Sequence, residues 1–94
     1  MPEHSVMESA QVDTLFEAIL KLENKEECRE FFQDLCTVKE LADMAQRIEA
    51  AQMLLAGRTY EQIVKNEEIS TATISRINRC IQYGSGGYAK ILSR

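Results

Sequence analysis

The sequence predicts an all-α domain of about six helices. Three observations carry this. Apolar residues recur at three- and four-residue spacings along most of the chain. Pairs of helix-capping residues punctuate that pattern, and no stretch alternates apolar and polar residues for long enough to make a strand. The chain has 94 residues, 45% of them apolar, with one proline and four glycines, which fits a single small domain and excludes collagen-like or low-complexity chains. A chain of this length buries only about 60–65% of its unfolded surface, so a partner subunit is expected on size alone.

Residues 1–8 read as a flexible N-terminal tail and 9–94 as one helical domain. Val12, Leu15, Phe16, Ile19 and Leu22 form one face of a first helix near residues 9–22. Asn24 with Glu27 is a capping pair that opens a second helix carrying Phe31, Phe32 and Leu35. Thr37 with Glu40 opens a third, longer helix with Leu41, Ala45, Ile48, Ala51 or Gln52, and Leu55 on its face, and Gly57 ends it. Thr59 with Gln62 caps a short helix bearing Tyr60, Ile63 and Val64. Ser70 caps the next, whose stripe is Ile74, Ile77 and Ile81. Gly84-Ser85-Gly86-Gly87 then breaks the chain before a last short helix at 88–92.

Charge is distributed unevenly. The net charge is −4, but residues 1–56 sum to −7 and residues 57–94 to +3. From Ser70 to Arg94 there are four basic side chains and no acid. Only this end is suited to approach a polyanion.

The stretch from Gly57 to Tyr83 has the layout of a helix-turn-helix: a glycine stop, a helix of about seven residues, a tight turn and a helix of about eleven. Ile63 and Val64 face back from the first helix, Ile69 fills the turn, and Ile74 and Ile77 face back from the second. At 100° per residue, Ile77 and Ile81 lie within about 60° of Ile74, while Ala72, Arg76 and Arg79 lie roughly opposite and Ser75 sits at about 100°. The outward face is small, hydroxylated or guanidinium-bearing and lacks carboxylates. Such a face can enter a major groove and meet phosphates and base edges, with Thr71 and Ala72 at the leading end. A surface helix that packs without touching DNA has the same outward composition, so the apolar register and the basic end carry the reading. Glu68 fits poorly, because the turn site usually takes glycine or asparagine in a left-handed conformation, and another residue there costs about 1 kcal/mol. Either the turn is shaped differently, with Asn66 taking that conformation, or packing offsets the cost.

Gln46-Arg47-Ile48, Leu54-Leu55-Ala56-Gly57, Lys65-Asn66-Glu67 and Ala72-Thr73-Ile74-Ser75-Arg76 together resemble the tryptophan repressor superfamily. Phe32-Gln33-Asp34-Leu35-Cys36-Thr37-Val38 and Asn78-Arg79-Cys80-Ile81-Gln82-Tyr83-Gly84 resemble its YerC/YecD-type branch. The resemblance covers about residues 10–92. It implies six helices in an intertwined homodimer, with 9–56 as dimerisation core, 57–83 as helix-turn-helix, and 84–94 as hinge and last short helix. It implies a bacterial transcription regulator, most simply a repressor, that binds double-stranded DNA in a sequence-specific way. Family contacts carry over to Thr71, Ala72 and Ser75, with Lys65 near the backbone; with the outward face, the candidate set is Lys65, Ser70, Thr71, Ala72, Ser75, Arg76 and Arg79.

In the repressor the indole is held between two arginines with a threonine nearby, and Arg47, Arg76 and Thr37 match those positions. The residue after the second arginine is glycine there and Ile77 here. A branched side chain at that place takes the room the indole needs, so tryptophan is not expected as a corepressor. Two alternatives stay open: a repressor gated by tryptophan or a similar amino acid, and a protein-interaction module that uses the helix-turn-helix.

Other constellations are poor. His4 is the only histidine and falls in the tail, so no histidine-based acid–base site is expected. Cys28, Cys36 and Cys80 lack metal-ligand spacing and read as reduced thiols of a cytoplasmic protein, Cys80 being partly buried on a helix flank. The acids of the front half read as solvated helix faces, and the glycine-rich run lacks the strand and lysine of a phosphate loop. No enzyme, metal or cofactor is expected. No run of 18 apolar residues predicts a membrane span, and the start lacks the pattern of a secretory signal.

Overall fold

The computed structural model describes residues 6–94, and the described part is helical with no strand. Its helices are α1 (Ala10–Leu20), α2 (Lys25–Leu35), α3 (Val38–Leu55), α4 (Tyr60–Glu67), α5 (Thr71–Tyr83) and α6 (Gly87–Leu92). Val6 and Met7 are helical as well, within the segment expected as a tail. The rest of that tail up to residue 5, with His4, lies outside the described residues. The chain divides into two compact units, the first ending at Thr37 and the second running Val38–Arg94.

In the first unit, the helix boundaries follow from local hydrogen bonding. Ser9 accepts the Val12 N–H at 3.2 Å and starts α1. The Lys21 and Leu22 N–H groups bond back three residues, to the Ala18 and Ile19 carbonyls, so α1 tightens and stops short of Leu22, earlier than the apolar spacing implies. Asn24 accepts the Glu27 N–H at 2.9 Å, as expected of a cap. The Glu27 carboxylate accepts the Glu23 N–H, also at 2.9 Å, one residue beyond the cap. Phe31 and Phe32 meet edge to face with ring centroids 5.7 Å apart. Neither α1 nor α2 contains a buried residue.

The second unit holds the core: Ala50, Ala51, Ile63, Ile69, Ile74 and Ile77. Met53, Leu54, Tyr60, Ile81, Tyr88 and Leu92 pack around it. Ala50 and Ala51 are fully buried, and their small side chains fit where the helices of the unit pack on α3. The stripe expected to mark the buried face of α3 is mostly exposed instead: Leu41, Ile48 and Leu55 are each a little over 40% accessible, and Ala45 is exposed too. The reason is that α3 is apolar on two faces, and the one bearing Ala50, Ala51 and Leu54 takes the intrachain contact. Val64 is also a correction, since it is exposed. It lies about 100° around α4 from Ile63, and a helix of eight residues presents only one row to the core.

The end of α3 shows why Gly57 stands where it does. Gly57 has φ +84°, its N–H bonds to the Leu54 carbonyl, and the Arg58 N–H reaches the Met53 carbonyl, both at 3.0 Å. This is a Schellman closure, which needs a left-handed residue at its centre. At the end of α5, Gly84 serves a different need: a β-carbon there would collide with the Cys80 carbonyl oxygen.

Candidate nucleic-acid interface

The helix-turn-helix is assembled from short-range bonds around the isoleucine core. Thr59 accepts the Gln62 N–H at 3.2 Å and the Gln62 side chain accepts the Thr59 N–H at 2.9 Å, a complete capping box for α4. The turn is Glu68-Ile69-Ser70. Glu68 itself takes the left-handed conformation, φ 45° and ψ 43°, while Asn66 stays within α4. Of the two alternatives, strain at Glu68 offset by packing is therefore the one realised. Ile69 follows immediately and is 8% exposed, so its burial holds the turn closed. Ser70 accepts the Thr73 N–H at 3.2 Å and shares a 2.9 Å hydroxyl contact with Thr73, which commits its hydroxyl to starting α5.

Thr71, Ala72, Ser75, Arg76 and Arg79 are all exposed, with Ala72, Arg76 and Arg79 roughly opposite the buried Ile74 and Ile77 and Thr71 and Ser75 on the flank. Ala72, Ser75, Arg76 and Arg79 line one open cleft of about 380 Å³. Among the described residues, neither Arg76 nor Arg79 is in an ion pair; the pairs formed are Arg29–Glu26 at 3.3 Å and Lys39–Asp43 at 3.1 Å. Both pairs are exposed and add little stability. The guanidinium groups of α5 thus form no ion pair among the described residues. Lys65 is exposed on α4, but it borders a separate depression with Glu61 and Gln62.

A second cleft, of about 250 Å³, lies between α3 and α5. It brings together Arg47, Arg76 and Ile77 with Asp43, Gln46, Ile69 and Thr73. Ile77 is 2% exposed at the cleft wall. Thr37, the fourth candidate, closes the first unit just before α3. Sequence reasoning missed Asp43 and Thr73 here. Their signal was weak: Asp43 reads as the i+4 partner of Lys39, and Thr73 lies between the inward and outward stripes of α5.

A third cavity, about 460 Å³ and lined almost wholly by apolar groups, opens beside α6 and is bordered by Ile48, Cys80, Tyr88, Ile91 and Leu92. Cys80 is exposed, not partly buried as expected. It borders this groove. Cys28 and Cys36 are half-buried, and no metal-binding cluster of His, Cys, Asp or Glu occurs among the described residues. No helix among those residues is long and apolar enough to cross a membrane.

A boxed short helix, a strained three-residue turn and an arginine-bearing helix seated on isoleucines define a helix-turn-helix protein. The family model of the Trp repressor protein matches residues 10–94, and the chain belongs to that family, in its YerC-type branch. The family is one of DNA-binding regulators rather than enzymes. The uncharacterized protein YerC of Bacillus subtilis (strain 168) is 49% identical over 84 residues, covering 89% of this chain and 81% of that protein. A crystal structure from Staphylococcus aureus, provisionally assigned as a Trp repressor, superposes with a TM-score of 0.92 at 46% identity, covering all of this chain and 94% of the other. A TrpR-like protein from Eubacterium eligens ATCC 27750 also superposes at 0.92, with 42% identity, covering 96% of this chain and 93% of that one.

Proposed function

We propose that this protein is a homodimeric, sequence-specific double-stranded DNA-binding transcription regulator that represses by occupying its site, without tryptophan as corepressor. The observation that carries the reading is the exposed Arg76–Arg79 face of α5, in no ion pair among the described residues, beside small Ala72 and Ser75, in a segment free of acids from Ser70 onward. Arg76 and Arg79 supply phosphate contacts, and Thr71, Ala72 and Ser75 at the leading end meet base edges. Lys65 supports the backbone from α4. Ser70 acts mainly by fixing the start of α5, since its hydroxyl is engaged in the cap.

The dimer reading rests on the exposed apolar faces of α1 and α3 and on the small size of the chain. It places two α5 helices about 34–36 Å apart, one DNA turn, on a near-palindromic site. Selection from random duplex DNA with the purified protein is the test. An enriched inverted repeat with that spacing is expected, and no enrichment would remove the reading. Arg79→Ala should weaken binding to every sequence and reduce the salt slope by about one phosphate's worth. An unchanged slope would take Arg79 out of the interface.

A second reading, an amino-acid-gated repressor, is favoured by the cleft flanked by Arg47 and Arg76. Against it stands Ile77, whose buried side chain forms part of the wall and braces α5 without a ligand. Calorimetry with tryptophan should give no heat above background. Saturable micromolar binding would reverse the choice.

A further inference from the structure

The outward stripe of α5 does not end at Arg79. Counting from Ala72 in steps of four, three and four residues gives Arg76, Arg79 and Tyr83, three helical turns apart from end to end. Tyr83 is the last residue of α5 and is 82% exposed, unusually open for a tyrosine. Its phenol has no hydrogen-bond partner among the described residues. Gly84 ends the helix immediately after it, so the ring projects from a terminated helix end and not into the core.

Three turns correspond to a rise of about 16 Å from Ala72. The major groove of B-DNA is only about 8.5 Å deep and 12 Å wide. With Ala72 at the base edges, a helix inclined by about 30° to the groove floor brings its far end level with the rim, where the phosphates are. We propose that Tyr83 donates its phenolic hydroxyl to a backbone phosphate of the bound duplex and so fixes the tilt of α5 in the groove. This rests on the DNA-binding reading above. Charge favours the nucleic acid as occupant, because the segment around Tyr83 carries arginine and lysine with no acid between Ser70 and Arg94. The contact is with the backbone and neutral, so it adds affinity without sequence preference and without releasing a counterion.

The test uses fluorescence anisotropy of the full chain on random-sequence duplexes across 50–200 mM salt, with wild type, Tyr83→Phe, Tyr83→Ala and Arg79→Ala. Tyr83→Phe keeps the ring and loses the hydroxyl; it should weaken binding about fivefold on every duplex with the salt slope unchanged. Tyr83→Ala should lose at least as much. Wild-type affinity in Tyr83→Phe would overturn the proposal while leaving the DNA reading intact. A changed sedimentation coefficient of free Tyr83→Ala would assign the ring to a subunit contact and overturn it equally. If wild type shows no salt-dependent binding, the DNA reading itself fails, which is a distinct result.

Discussion

The two units of this chain solve the burial problem differently. The second, Val38–Arg94, contains every fully sequestered side chain of the described residues, and its isoleucines serve at once as core and as the seat of the exposed α5 face. The first has a capped α1 and α2 and a paired Phe31–Phe32, yet buries nothing fully: Phe16 is 40% exposed and Leu20 82%. Isolated helices of eleven residues are marginal in water, and most of their stability comes from packing an apolar face. One unit therefore carries its own stability and the other needs a partner for it. The homodimer proposed above would supply that partner.

The largest effect that probes this contrast is in the second unit. Ile74 is fully buried between α5 and the rest of the core, so Ile74→Ala should cost about 3 kcal/mol in urea unfolding. A loss below 1 kcal/mol would mean that the head is not the stable part. In the first unit, Leu20→Glu should weaken dimerisation by about 2 kcal/mol, or about 30-fold in dissociation constant, because it puts a charge into the proposed apolar subunit contact, and helical content should fall as the dimer dissociates. Sedimentation at micromolar concentration checks it. A variant that assembles like wild type would place the partner surface elsewhere.

The same division explains what could be read beforehand. Caps were legible at Asn24, Thr59 and Ser70 because each is a bond across three residues, and the identities at both ends suffice to predict it. Ile74 and Ile77 were legible because their spacing fixes the inward face of α5, and Ile63 and Ile69 because a helix-turn-helix needs apolar residues at those places. The buried face of α3 was not. Leu41, Ile48 and Leu55 make as good a stripe as Ala50, Ala51 and Leu54, and periodicity cannot say which stripe meets a neighbour inside the chain. The outward members of α5 followed from the core by geometry. Asp43 and Thr73 in the second cleft required knowing how α3 lies against α5, which no local pattern encodes.

The smallest effect lies at the turn that joins the two helices of the head. Glu68 holds φ 45°, a conformation that costs a side chain about 1 kcal/mol or more and that asparagine tolerates better. Glu68→Asn should therefore stabilise the fold by about 0.5 kcal/mol. Two residues earlier the sign reverses: Asn66 is helical, so Asn66→Gly should destabilise by a few tenths of a kcal/mol. The pair of urea midpoints distinguishes strain from composition, because both changes put a turn-favouring residue into the same short segment. If both variants shifted in the same direction, the left-handed position would not be at Glu68. Removing that carboxylate also takes a negative charge from the turn ahead of the reading helix, so Glu68→Asn should bind duplex DNA slightly more tightly than wild type at low salt, with the difference fading as salt rises.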